Sequence, residues 1–168
     1  ADPILVAPSD ERHYTEKVVR LPEMYLVNDD KRAVSESTPT RAEMRLPETG
    51  FVFCSFNNAY KITPEIFGVW MRLLDRVEGS VLWLLSTNEA GVRNLKREAE
   101  AAGIDPSRLV FASRARPADH LARHHLADLF LDTLPYNAHT TACDALWTGL
   151  PLVTCKGTSF AGRVDRKS

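Results

Sequence analysis

The sequence lacks most of the signals that announce a protein class at first sight. No apolar run approaches the ~20 residues of a membrane span, and no basic stretch followed by an apolar segment stands near the amino terminus. Neither a membrane partner nor a secretory leader is therefore expected. Cysteine is scarce: Cys54, Cys143 and Cys155 are an odd, widely spaced set with no C-x-x-C pair, which favours reduced thiols and a cytoplasmic setting. Neither sign of charge dominates, with 21 Lys and Arg against 22 Asp and Glu, so there is no electrostatic case for a nucleic-acid partner. The G-x-G-x-x-G and G-x-x-x-x-G-K-[ST] fingerprints are absent, which argues against dinucleotide dehydrogenases and P-loop enzymes. G-x-S-x-G is missing too. No Asp-x-Asp occurs, which speaks against a sugar transferase that holds its nucleotide through a divalent metal.

What is present suffices for one sizeable core, with 168 residues, 44% of them hydrophobic and 26% charged. Charge divides unevenly. Residues 1–50 hold seven basic against ten acidic side chains, and residues 51–168 hold fourteen against twelve, so an anionic ligand is better placed in the second part. Residues 1–50 show one short apolar run, Ile4–Ala7, expected as a strand that takes its sheet from elsewhere. Between residues 22 and 50 no period survives around Pro22, Pro39 and Pro47, which reads as a connector.

From Phe51 the pattern is regular. Strands are expected at Phe51–Phe56, Val81–Leu85, Leu109–Phe111, Leu129–Leu131 and Pro151–Thr154. Helices are expected after Thr63-Pro64, after Asn88, from Pro117 and over Thr140–Thr148, with Gly79, Gly103 and Gly149 as stops. Five alternating strands and helices with short links predict an α/β fold, a Rossmann-like, doubly wound parallel sheet. Such sheets bind ligands beyond the carboxyl ends of their strands, here Phe56–Ile62, Ser113–His120 and Thr133–Thr141.

Two of these loops carry residues suited to an anion. Asn57, Asn58 and Lys61 follow the first strand, and an amide-flanked lysine can bind phosphate as a point charge, although a polar turn with Lys61 in solvent is the simpler explanation from spacing alone. His139, Thr140 and Thr141 open the last helix, where unpaired N–H groups favour anions, although Thr140 acting only as a cap explains the pattern equally. Asp144 lies one turn further in, placed to accept from a sugar hydroxyl. His120, His124 and Asp128 share a spacing of four, which suits a zinc face but lacks a fourth ligand, and Cys143 has no base placed to activate it.

The segments Phe56–Ile62, Ser80–Leu85, Ala127–Thr133, Asn137–Thr141 with Asp144, and Gly149–Thr154 together resemble the carboxyl-terminal catalytic half of the O-linked N-acetylglucosamine transferases, including the SPINDLY-like, tetratricopeptide-repeat-associated members. The resemblance runs from about Tyr14 to Val164. It implies the carboxyl-terminal half of a GT-B glycosyltransferase, using UDP-N-acetylglucosamine as substrate, a protein acceptor, and no metal or other cofactor. It implies that Lys61 contacts the diphosphate as the catalytic group, with Asn58 at the position of a diphosphate-binding Gln and Asn57 beside it. It places His120 against uracil and counts Ala115 and Arg123 among the residues that bind the nucleotide sugar. His139, Thr140 and Thr141 fall to the diphosphate and Asp144 to the ribose. The family often has a Lys just before the uracil-binding His, and Arg116-Pro117 stands there instead. Under this reading residues 1–50 are the end of an amino-terminal lobe and a connector. Residues 51–168 are then a nucleotide-sugar lobe truncated at its carboxyl end, which alone would bind donor without glycosylating protein. The alternatives are a nucleotide-binding or interaction module without turnover, and a GT-B transferase using another donor such as GDP-fucose.

Overall fold

The computed structural model describes residues 1–2, 5–21 and 26–163. Its sheet has five parallel strands: β1 (Val52–Ser55), β2 (Val81–Leu85), β3 (Leu109–Ala112), β4 (Leu129–Leu131) and β5 (Leu152–Val153), in the order β3-β2-β1-β4-β5. Val52 pairs with Val81 and Phe53 with Leu129, so the winding reverses between β1 and β4. A doubly wound sheet opens its ligand crevice at that reversal. Four helices connect the strands: α1 (Pro64–Arg76), α2 (Glu89–Ala101), α3 (Pro117–Arg123) and α4 (Thr140–Trp147). The caps are those the sequence announces. Thr63 accepts from the Ile66 N–H at 3.4 Å, and Asn88 from that of Gly91 at 2.7 Å.

Alternation along each strand sorts the core into two layers. Phe53, Leu82, Leu84 and Leu109 pack with Ile66, Phe67, Trp70 and Leu74 of α1 and Ala99 of α2. Val52, Cys54, Trp83, Val110 and Phe130 pack with Ala142 and Ala145 of α4. Strands buried on both faces explain the unbroken apolar runs. Before β1 the chain makes one close approach: at Gly50 (φ +111°) a Cβ would stand 2.4 Å from the Gly79 carbonyl oxygen, so only glycine fits.

The strand expected at Ile4–Ala7 does not form over its described part. Ile4 lies outside the described residues, and Leu5 and Val6 form a turn and a bend. They are buried in a small cluster of their own with Ala1 and Val18, where the Asp2 carboxylate accepts from the Leu5 N–H at 2.9 Å. A local side-chain bond has won over strand pairing. The connector is irregular, as expected, yet its end is not peripheral. Leu46 is buried in the layer that holds α4, and Met44 packs against that layer.

Candidate functional site

Two clusters stand at the carboxyl edge of the sheet, and α4 contributes to both, Thr141 to one and Asp144 to the other. The first is built at the β1–β4 reversal. The loop after β1 turns through a short 3-10 helix, Ala59–Lys61, and directs Lys61 toward the loop after β4. Lys61 Nζ donates to the Asn137 carbonyl at 2.9 Å and lies 4.2 Å from the centre of the Tyr136 ring. Tyr136 stacks on His139 at 5.3 Å, with Tyr60 edge-on at its other side. Burial, and then the charge of Lys61, hold the His139 imidazole below its ordinary pKa, so it is neutral near pH 7. Asn57 is buried, and its Oδ1 accepts from the Thr141 hydroxyl at 2.7 Å, tying the first loop to the start of α4.

The β4–α4 loop owes its shape to Asp132, which is buried. Its Oδ1 accepts from the N–H groups of Thr133 (2.7 Å) and Ala138 (2.6 Å). Its Oδ2 accepts from Asn137 Nδ2 (2.6 Å) and the Thr154 hydroxyl (2.5 Å). Four donors on one buried carboxylate hold His139, Thr140 and Lys61's carbonyl partner in place. Charge-assisted bonds of this kind are roughly twice as strong as neutral ones.

The second cluster surrounds a cavity of about 690 Å³, lined by Arg32, Ala33 and Ser35 on one side and residues 115–121 on the other, with Asp144 at its edge. His120 sits in α3. Its Nδ1 accepts from the Arg123 guanidinium, so the ring proton is on Nε2, which faces Asp144 Oδ2 at 3.8 Å. Burial, then Arg123, then His124 push the His120 pKa down to about 3, which leaves a neutral, planar imidazole on the cavity wall. The other oxygen of Asp144 is bound by Arg32, whose guanidinium lies 5.5 Å from the Trp147 ring centre.

The expected site residues thus fall into two groups. Lys61, Asn57, His139 and Thr141 come together, with Asn58 and Thr140 exposed beside them. His120, Ala115 and Asp144 share the cavity. Thr141 and Asp144, three apart on α4, link the groups. Arg123 is only 3% exposed, with its guanidinium on the Ser113 carbonyl (2.7 Å) and over the Phe56 ring (4.4 Å), so it holds the β3–α3 loop and orients His120 from below. Arg116 stands at the start of α3 without a side-chain cap bond and pairs with Asp119 at 2.8 Å, facing solvent. The zinc spacing does not converge: Asp128 turns away, accepting from the Val52 N–H at 2.7 Å and pairing with Arg41. Asp132, Tyr136, Asn137 and Arg32 were not assigned roles from the sequence. An acidic residue ending a buried strand is a signal for the first, whereas nothing local marks Arg32.

A doubly wound lobe with a lysine and a helix start at its reversal and a cavity along the same edge fits one class, a carboxyl-terminal lobe of the GT-B kind, and a solved transferase superposes on it. The chain belongs to glycosyl transferase family 41, whose family model matches residues 26–167. It is 41% identical over 165 residues to the probable UDP-N-acetylglucosamine–peptide N-acetylglucosaminyltransferase SEC of Arabidopsis thaliana, covering 95% of this chain and 17% of that protein. It is 41% identical over 140 residues to the UDP-N-acetylglucosamine–peptide N-acetylglucosaminyltransferase of Caenorhabditis elegans, covering 80% of this chain and 12% of the relative. A solved O-GlcNAc transferase mutant of Thermobaculum terrenum superposes with a TM-score of 0.85 at 32% identity, over 99% of this chain and 31% of that one. The chain therefore spans less than a third of each of these proteins.

Proposed function

We propose that this chain is the nucleotide-sugar-binding lobe of a protein O-glycosyltransferase, with UDP-N-acetylglucosamine as donor and Ser or Thr of a protein as acceptor. The observation that carries the reading is the joining of Lys61, His139 and Thr141 at the β1–β4 reversal, beside a cavity that holds a neutral His120 and Asp144. Lys61 and the first N–H groups of α4 would meet the negative charge that develops on the departing diphosphate, the kind of preorganised electrostatics that lowers a barrier most. His120 would offer a flat face to uracil, and Asp144 would accept from the ribose. No resident metal or cofactor enters this reading.

In it, residues 1–50 end an amino-terminal lobe and form the connector, and residues 51–168 form the donor lobe. Among the described residues no helix is long and apolar enough to cross a membrane. The cytoplasmic setting of this reading rests instead on the thiols of Cys54, Cys143 and Cys155, which are free. The test is retention of labelled UDP-N-acetylglucosamine by the chain, with UDP and GDP as competitors. Displacement by UDP supports the reading, stronger displacement by GDP moves the donor to a guanosine sugar, and no retention overturns it.

A further inference from the structure

One peptide group in the β4–α4 loop stands between two opposite charges. Its carbonyl, that of Asn137, accepts from Lys61 Nζ at 2.9 Å. Its N–H, that of Ala138, donates to Asp132 Oδ1 at 2.6 Å. The bond joining Asn137 to Ala138 is trans, so the carbonyl and the N–H point in opposite directions. The carboxylate therefore meets the positive end of the amide dipole and the ammonium its negative end. Hydrogen bonds chained in this way polarise one another and strengthen together, most of all where water is excluded. Asp132 is only 4% exposed, and Asn137 only 1%. The peptide is fixed from other directions as well. The Asn137 N–H donates to the Ala161 carbonyl at 3.0 Å, and its side-chain amide donates to Asp132 Oδ2 at 2.6 Å. Both charges are felt at His139, whose pKa burial and Lys61 lower and Asp132 raises.

We infer that Asp132 is a positioning residue for Lys61, acting through the peptide between Asn137 and Ala138 to aim the ammonium at the donor's phosphates. The role requires no contact between Asp132 and the ligand, and no proton moves. The carboxylate makes the Asn137 carbonyl a stronger acceptor, and that carbonyl holds one N–H of Lys61. An ammonium carries three N–H groups, so fixing one sets the direction of the other two. A cation fixed before the diphosphate departs meets the developing charge without reorganising, which is where electrostatic catalysis gains most. Asp132 thus affects phosphate affinity in addition to the shape of its loop. This inference rests on the proposed nucleotide-sugar function.

The test is calorimetry with UDP and uridine on the unsubstituted 168-residue chain, Asp132→Asn, Thr154→Val, Lys61→Ala, and Asp132→Asn combined with Lys61→Ala. Asp132→Asn should weaken UDP about tenfold, the size of one lost bond to a charged group, and uridine by less than about twofold. Thr154→Val removes the hydroxyl on Oδ2 and leaves the Ala138 bond, so it should cost stability and leave the ratio of the two affinities unchanged. In the Lys61→Ala background, Asp132→Asn should cost UDP less than about twofold, because the effect passes through Lys61. If Asp132→Asn does not fold, amide proton shifts of Lys61→Ala carry the test. Loss of the ammonium should move the Ala138 amide proton upfield by more than that of Thr133, which donates to the same oxygen at 2.7 Å. Three results overturn the inference while the proposed function stands: equal loss of UDP and uridine in Asp132→Asn, an undiminished loss of UDP in the Lys61→Ala background, or an Ala138 proton that moves no more than that of Thr133. So does a change of ratio in Thr154→Val as large as in Asp132→Asn. Failure of the unsubstituted chain to bind UDP overturns both.

Discussion

Replacing Lys61 with Ala separates a phosphate contact from a structural one. Lys61 Nζ has a carbonyl acceptor at 2.9 Å and an aromatic face at 4.2 Å, so its position is determined before any ligand arrives. Removing the bond to Asn137 should lower stability by about 1 kcal/mol, the net value of an ordinary hydrogen bond. That leaves the lobe folded, since the Asp132 network and the Thr141–Asn57 bond hold the same loops. A hydrogen bond from a cation to a phosphate contributes about 1.5–3 kcal/mol, so UDP affinity should fall roughly 10- to 150-fold. Uridine has no phosphate and should change by less than about twofold on the same reasoning. Calorimetry with both ligands on both proteins, beside a thermal melt, reads all three quantities. The unsubstituted chain should bind UDP in the micromolar range or weaker, roughly −8 kcal/mol at most. An equal loss for both ligands would refute the reasoning and make Lys61 a residue of the fold.

Acid should destabilise the protein earlier than an average α/β lobe. Burial holds His120 at about 3 and His124 below its ordinary value, so the unfolded chain binds protons that the folded chain does not. Stability is then complete above about pH 6.5 and is lost as pH falls below it, by up to ~1.4 kcal/mol per pH unit for each ring. Urea midpoints that do not move between pH 7.5 and pH 5 would contradict this. Asp132→Ala removes the acceptor of four donors, two of them the buried N–H groups of Thr133 and Ala138, and should cost about 3–5 kcal/mol by denaturant titration, with a loss under about 1 kcal/mol the contrary result. His120→Phe should keep most UDP affinity while His120→Ala loses about tenfold, because stacking on a base needs a flat face more than a charge. Equal affinity of the Ala variant and the unsubstituted chain would remove His120 from the site.

The elements from Phe51 onward were legible because each carries its own punctuation. Thr63-Pro64 and Asn88 open helices with side-chain caps, and the unbroken apolar runs of β1 and β2 are what two-faced burial demands. The order β3-β2-β1-β4-β5 was not written in those signals, since strand order is a property of crossovers. At Ile4–Ala7 an apolar run was read as a strand, and the Asp2 side chain draws Leu5 into a turn instead. Of the candidate site, the residues adjacent to strand ends were legible from position alone. Arg32 was not, because its meaning depends on an ion pair across 112 residues and its own surroundings have no period. Arg123 shows the converse. Its place among the site residues came from the resemblance alone, while its partners, the Ser113 carbonyl and the Phe56 ring, became visible only in the fold, because a buried guanidinium needs such partners.

The central claim is that one nucleotide sugar spans both clusters along the β1–β4 edge, and amide chemical-shift mapping of the chain during titration with UDP-N-acetylglucosamine tests it most directly. The account predicts saturable shifts concentrated in Asn57–Lys61, in Ala115–Arg123, in His139–Asp144 and at Arg32, with residues of α2 unmoved. Shifts confined to one cluster, or centred away from the carboxyl edge of the sheet, would contradict it.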